Sequence, residues 1–282
     1  MELIILGSGG CTVIPRPTCD CRVCTQARQK GLPYTRAGPS AFLRDINLLV
    51  DTPAEICQLL NRSRIPRVDR VLLTHLDPDH IEGLRVVEQV ALDFRTWTGY
   101  PEKQIEIVLP RQLEKPLRSV SSQYGSILDF YEKSDFVRLR LFDERLEIDG
   151  IRIEAIPVDR GSQVSFVYVF IRASSRVVYA PCDIKPFPEH RSDVYDADLL
   201  IIQPGIFEDG LKHSFTYPPD HISRRTLYTF ADTVELSRRL RAHRVLFVHL
   251  EEYWNRSYED YLAMEADDKS LRFAYDGMHV WV

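Results

Sequence analysis

Between positions 75 and 80 the chain reads His-Leu-Asp-Pro-Asp-His, so two imidazoles and two carboxylates fall within six residues, directly after the apolar run Val71-Leu72-Leu73. Imidazole nitrogen and carboxylate oxygen are the donors that zinc, manganese and iron accept, and an incomplete protein coordination sphere leaves room for an acidified water. A strand ending at His75 fixes the backbone, and the loop after it can turn Asp77, Asp79 and His80 toward one point. The bland alternative has Asp77 and Asp79 capping a helix that begins near Ile81, with His75 an ordinary core histidine. Four candidate ligands in one turn favour the metal.

A second cluster stands near the N-terminus, where Cys19, Cys21 and Cys24 lie in the stretch CDCRVC. In a reducing compartment crowded thiols suit a shared zinc better than disulfides. A closed tetrahedral site needs a fourth ligand, and Cys11, Cys57, Cys182, Glu252 or a distant histidine are all open candidates. Cys182 itself, beside Asp183, reads by default as a small buried residue after a strand, with a redox thiol near the metals as the sharper alternative.

These side chains need a scaffold. The chain has 282 residues, 44% of them hydrophobic, enough for a full core. A formal net charge of -5 and a pI near 5.9 argue against a general nucleic-acid or membrane-surface binder. No apolar run approaches a membrane span, and the start MELIILGSGG lacks the parts of a signal peptide, so a soluble cytoplasmic protein is expected.

Short β-branched runs predict strands at ELIILGSGG, INLLVDTP, VDRVLLTH, QIEIVLP, FVRLRLF, RLEIDGIRIEAIPV, SFVYVFIRA, SRVVYAPCD, LLIIQPG and RVLFVHL. Helical spacing appears at 55–61, after His80 through HIEGLRVVEQVALDF, and over 223–242, where Ser223 offers an N-cap oxygen. No linker divides the chain. The expectation is one α/β domain over 1–282.

With these residues in place, the sequence resembles the metallo-β-lactamase superfamily, whose signature H-x-H-x-D-H follows a strand and is met here by His75, Asp77, Asp79 and His80. The resemblance extends to Asp183 after VVYAPC, to His249 in VLFVHLEE, and to LGSGG, LLVDTP and AYDGM. It implies an αββα sandwich of two mixed sheets flanked by helices, with one or two divalent ions (Zn2+, Mn2+ or Fe2+) held by His75, Asp77, Asp79, His80, Asp183 and His249. The CDCRVC insertion, at about 11–38, is similar to that of the branch holding the phosphoribosyl cyclic phosphate diesterases and the PqqB proteins. In the diesterases, three cysteines and a histidine hold a structural zinc. Glu252 occupies the place of that histidine, which makes it the candidate fourth ligand. His221, in PPDHIS, matches a histidine that acts on substrate; its bland reading is a helix-cap residue.

Two departures from the family pattern stand out. Asp77 replaces the second motif histidine, and Arg160 replaces the histidine expected after IPVD. The remaining set, His75, Asp77, Asp183 and Asp159, is rich in oxygen and favours manganese or iron over zinc. Arg160 stays protonated and cannot ligate, but it can fork onto phosphate or carboxylate oxygens. Two ions, a single ion held by Asp79, His80, Asp183 and His249, or a site without hydrolysis are all left open.

The resemblance implies a hydrolase of a small anionic substrate, a cyclic or linear phosphodiester. Asp79 would then orient the attacking hydroxide, His221 donate a proton, and Arg160 hold a phosphate oxygen. The alternatives are a PqqB-like biosynthetic accessory protein with oxidative or intermediate-binding chemistry, and a tRNA-processing nuclease, against which the acidic composition argues. A homodimer is a prior expectation for such a fold.

Overall fold

A computed structural model of the chain describes residues 1–159, 161 and 163–282. Arg160 lies outside the described residues, and no helix among them is long and apolar enough to cross a membrane.

The strands assemble into two large sheets, and the sequence of each strand explains where it sits. The first sheet has the spatial order Val137–Phe142, Ile105–Pro110, Arg70–Leu72, Leu48–Val50, Ser40–Leu43, Glu2–Gly7 and Met278–Trp281. Its inner strands carry unbroken apolar runs such as Leu3-Ile4-Ile5-Leu6, because both faces are covered. Helices Ile56–Arg62, Arg111–Ser119 and Ile127–Lys133 add Leu59, Leu113, Leu117 and Leu128 to the same core.

The second sheet runs Arg145–Ile148, Ile151–Asp159, Val164–Arg172, Ser175–Ala180, Leu199–Ile202 and Val245–Phe247. Side chains of a strand alternate between faces, and the packing sorts accordingly. Tyr168, Phe170, Val177, Tyr179, Leu199 and Ile201 join the core shared with the first sheet. Their neighbours Val167, Val169, Val178, Ala180, Leu200 and Ile202 join a second core. That second core takes in Val234 and Leu236 of helix Phe230–Arg239 and Tyr261 of helix Tyr258–Asp267. Helix, sheet, sheet and helix are therefore the layers, as the family resemblance implied.

Two helix expectations need correction. The helix read from His80 onward is two short pieces, Pro78–Ile81 and Val86–Ala91, broken at Gly83. A Cβ on Gly83 would lie 2.0 Å from the Pro53 carbonyl oxygen, and the Gly83 N–H donates to Thr52 O at 2.8 Å. Close backbone contact with the 51–53 loop overrides the helical spacing here. The long C-terminal helix starts at Phe230 rather than Ser223: Thr229 and Asp232 form a capping box, and residues Ile222–Arg225 are a separate short turn.

Topology gathers the chemistry at one edge. Leu48–Val50 and Arg70–Leu72 run parallel, as do Ser175–Ala180, Leu199–Ile202 and Val245–Phe247. Their carboxyl ends deliver Asp51, His75, Asp183, Gln203 and His249. The two sheets are tied beneath this edge by the Tyr168 hydroxyl, which donates to Leu73 O at 2.7 Å, and by the Phe166 N–H, which donates to Thr74 O at 2.9 Å.

Candidate metal centre

Three strand ends turn into the left-handed region at non-glycine residues: Asp51 has φ 60°, Asp183 φ 53° and His249 φ 60°. Such residues cost on the order of 1 kcal/mol each and cluster where a side chain must be aimed. Here they aim at a common point. Among the described residues, two sets of imidazole and carboxylate donors, each mutually within 4.8 Å, result: His75, Asp77 and Asp183 form one, and Asp79, His80 and His249 the other. The His75 and His80 rings are 4.0 Å apart and the His80 and His249 rings 5.5 Å apart, so the sets adjoin.

The hydrogen bonds behind the imidazoles decide which nitrogens face inward. Asp51, fully buried, accepts from the Thr74 N–H, from the Thr74 hydroxyl and from His80 Nδ1, at 2.8, 2.8 and 2.9 Å. Since the one hydroxyl proton of Thr74 goes to Asp51, Thr74 Oγ1 accepts from His75 Nδ1 at 2.9 Å. His249 Nδ1 lies 3.3 Å from Glu251 Oε1. The Glu251 carboxylate is itself fixed by the backbone N–H groups of Cys11 and Thr12 and by the Thr12 hydroxyl, at 3.1, 3.0 and 2.6 Å. Gly10 makes room for it, because a Cβ there would stand 2.1 Å from Glu251 Oε1.

Nδ1 of each ring is engaged behind the cleft, that of His249 also lying 3.3 Å from Gln203 Nε2, so Nε2 is the nitrogen that faces inward. Nε2 of His75, His80 and His249 is buried and has no hydrogen-bond partner. An orphaned buried nitrogen is costly unless something fills the space it faces, and three facing two adjoining carboxylate sets fit divalent cations. Asp77 makes no capping bond to the short helix it precedes, which removes the bland reading of that residue. Burial disfavours a charged Asp79, but the neighbouring His249, whose Nε2 is 3.3 Å from Asp79 Oδ2, with His80 and His75, holds its carboxyl well below the usual range. Asp159 lines the adjoining cavity, with its Oδ1 accepting from the Gly161 N–H at 2.8 Å, and belongs to neither donor set.

That cavity, of about 630 Å3, is lined by the polar His75, Asp77, Gln112, Asp159 and Gln163 and by the apolar Leu113, Pro116 and Val120. His221 does not line it. A second cavity of about 480 Å3 holds His221 together with Arg16, Lys212, His213 and Tyr253. Burial and then the Glu251 carboxylate push the Tyr253 phenol far above its ordinary value. His221 Nδ1 accepts from the Ser223 N–H at 3.2 Å and caps the turn Ile222–Arg225.

The cysteines form a separate cluster. Glu252 Oε1 lies 3.4, 3.2 and 3.3 Å from the sulfurs of Cys19, Cys21 and Cys24. A zinc tetrahedron would set sulfur and oxygen roughly 3.5 Å apart, and Glu252, fully buried, keeps its Oε2 without a hydrogen-bond partner. The donor set therefore fits zinc. Lys212, which the sequence did not single out, contacts Glu252 Oε1 and lies 3.0 Å from Cys19 Sγ. The Cys21 N–H and the Lys212 ammonium lower the Cys19 pKa, whereas burial raises those of Cys21 and Cys24.

The sequence pattern of the Beta-lactamase superfamily domain matches residues 46–250, a span that takes in every cleft donor. The chain belongs to the metallo-β-lactamase superfamily. Among solved structures of that fold, a diphosphatase from the PhnP family is 19% identical, with 100% of this chain and 97% of that one covered at a TM-score of 0.73. Zn(2+)-bound PqqB from Methylobacterium extorquens is also 19% identical, with 100% of both chains covered at 0.75. Short-form human tRNase Z is 17% identical, with 100% and 99% covered at 0.64. No curated protein sequence matches. The superfamily is mostly one of metal-dependent hydrolases, and the cleft carries donor sets suited to such ions.

Proposed function

We propose that the protein is a metal-dependent phosphodiesterase acting on a small cyclic or linear phosphodiester, with two ions in the cleft and a structural zinc at Cys19, Cys21, Cys24 and Glu252. The observation that carries this reading is the convergence of three buried Nε2 atoms without partners on the carboxylates of Asp77, Asp79 and Asp183. Bound there, divalent ions supply an acidified water and positive charge for the developing oxyanion.

The chain's own groups do the rest. Asp79, ionised across the physiological range, accepts a hydrogen bond from the attacking water and so fixes its direction. In this reading the leaving group points into the second cavity, where His221, with its Nδ1 occupied by the Ser223 N–H, carries the proton of its neutral ring on Nε2 for donation to the leaving alkoxide. Arg160 keeps its role from the sequence, forking onto a phosphate oxygen. A cavity of about 630 Å3 is of a size that encloses a small metabolite, and its Leu113, Pro116 and Val120 wall accepts the apolar part of one.

The test is hydrolysis of a chromogenic diester by protein loaded in turn with zinc, manganese and iron. Asp79→Ala is expected to lose about a thousandfold or more in kcat, and His221→Ala about 10²–10⁴-fold. Absence of hydrolysis by the wild type under all three metals would reject the reading. A PqqB-like accessory role is the second reading, favoured by the single imidazole in the set of His75, Asp77 and Asp183. It calls for iron in the cleft and oxygen-dependent turnover.

A further inference from the structure

Cys182 belongs to neither donor set, yet its sulfur, a ring nitrogen of His75 and a ring nitrogen of His80 lie within 4.8 Å of one another. His75 is in the first set and His80 in the second, so the thiol stands at their junction. Its position follows from the backbone. Strand Ser175–Ala180 ends, Pro181 follows, and Asp183 turns left-handed at φ 53° with its carbonyl held by the Ser165 hydroxyl at 2.6 Å. In a continuing strand, Cys182 and Asp183 would face opposite sides. The turn lets both reach the donor sets, Asp183 with His75 and Asp77, and Cys182 with His75 and His80.

Two further observations point to a ligand. The Nε2 atoms of His75 and His80, 2% and 0% exposed, are aimed into this region without a hydrogen-bond partner. The set on the His75 side holds two hard carboxylates and a single imidazole, since Asp77 and Arg160 stand where the superfamily pattern has imidazoles, so it is short of softer donors. A thiolate at the junction makes good that deficit.

We propose that Cys182 is a metal ligand of the cleft, its thiolate available to an ion held on the His75 side or the His80 side of the two donor sets. The proposal rests on the reading of the cleft as a metal centre. On binding, the S–H bond breaks, the sulfur keeps the electron pair and donates it to the cation, and the proton passes to solvent. A sulfur donor shifts selectivity toward zinc, iron and cadmium and away from manganese, reversing the preference that an all-oxygen and imidazole set would give.

The experiment is cadmium NMR on the full chain loaded with Cd2+, comparing wild type with Cys182→Ser and Cys182→Ala. Sulfur ligation deshields cadmium strongly, so the cysteine-rich cluster and the cleft give separate resonances. The expected result is a cleft signal in the wild type that moves upfield in both variants, while the signal from Cys19, Cys21, Cys24 and Glu252 stays in place. A cleft signal at the same shift in wild type and variants overturns the role of Cys182 alone. A wild type with cadmium only in the cysteine cluster overturns the cleft reading and the proposal together. Competition titration gives an independent readout: the zinc-over-manganese affinity ratio is expected to fall at least about tenfold in Cys182→Ser, and an unchanged ratio contradicts the proposal even where the alanine variant fails to fold.

Discussion

Asp51 Oδ2 lies 2.9 Å from His80 Nδ1, with both side chains fully buried, and the same carboxylate holds Thr74, whose hydroxyl in turn holds His75. One residue that cannot itself reach a cleft ion thus sets the tautomer of two imidazoles in different donor sets. An outer carboxylate of this kind typically governs metal affinity by 10–100-fold. Asp51→Ala is expected to weaken cleft metal binding by about that factor, read by competition with a chromogenic chelator, and to leave the zinc of the cysteine cluster untouched. Equal loss at both sites would mean that the substitution disturbs the fold rather than the ligands.

The cysteine cluster offers a separable test. Glu252→Ala removes the carboxylate that all three sulfurs face and is expected to lower zinc content by one equivalent and to lower the unfolding temperature, because binding energy at a structural zinc is folding energy. Lys212→Met keeps the four donors but removes the ammonium beside Cys19 and Glu252. It is expected to retain zinc with reduced affinity, measured by the same chelator titration.

Asp276 accepts from the Ser8 N–H and hydroxyl at 2.8 Å, from the Ala37 N–H at 2.9 Å and from Arg62 at 3.0 Å, while only 2% exposed. It fastens the Ser8 turn, and through it the loop that carries Gly10 and Cys11, to the C-terminal strand region. Breaking a buried charged network by removing one partner costs about 3–5 kcal/mol. Asp276→Ala is expected to lose stability of that order in urea unfolding, with a smaller effect on cleft affinity than Asp51→Ala.

Cys11 is exposed, yet its thiol is pushed up to about 12 by burial of the sulfur's surroundings and by the Glu251 carboxylate. The thiolate is the nucleophile, so its alkylation rate tracks the ionised fraction. In chelator-treated protein, the rate at Cys11, followed by peptide mapping, is expected to climb about tenfold per pH unit from 8 to 11. Glu251→Gln removes one of the raising charges and is expected to speed alkylation at pH 8. A plateau above pH 9 in the wild type would contradict this placement of Glu251.

Much of this was legible beforehand, for definite reasons. The strands could be read because apolar runs of strand length, bounded by turn residues, leave little alternative, and their division into two sheets came with the family resemblance; the sorting of Val167 and Tyr168 to opposite cores follows from strand alternation alone. The cleft donors were legible because His75, Asp77, Asp79 and His80 sit in one turn. Strands Ser40–Leu43 and Met278–Trp281 went unread, although strands as short as Leu48–Val50 were read. The break at Gly83 was not legible, because the cause is Pro53, thirty positions away in the chain. Thr74, Glu251 and Lys212 left no signal, as their roles arise from neighbours that only the fold brings together. Asp51 left a partial one, a carboxylate closing an apolar strand. Arg160 lies outside the described residues, so its part in substrate binding stays where the sequence put it.

The most direct measurement is elemental analysis of purified protein, with diester hydrolysis followed on the same samples, for wild type, Asp183→Ala and Cys21→Ser. The account expects wild type to carry one zinc that Cys21→Ser alone removes and further ions that Asp183→Ala alone removes, with activity vanishing only in the latter. A wild type whose sole metal is the zinc lost in Cys21→Ser, and which leaves the diester untouched, would contradict it.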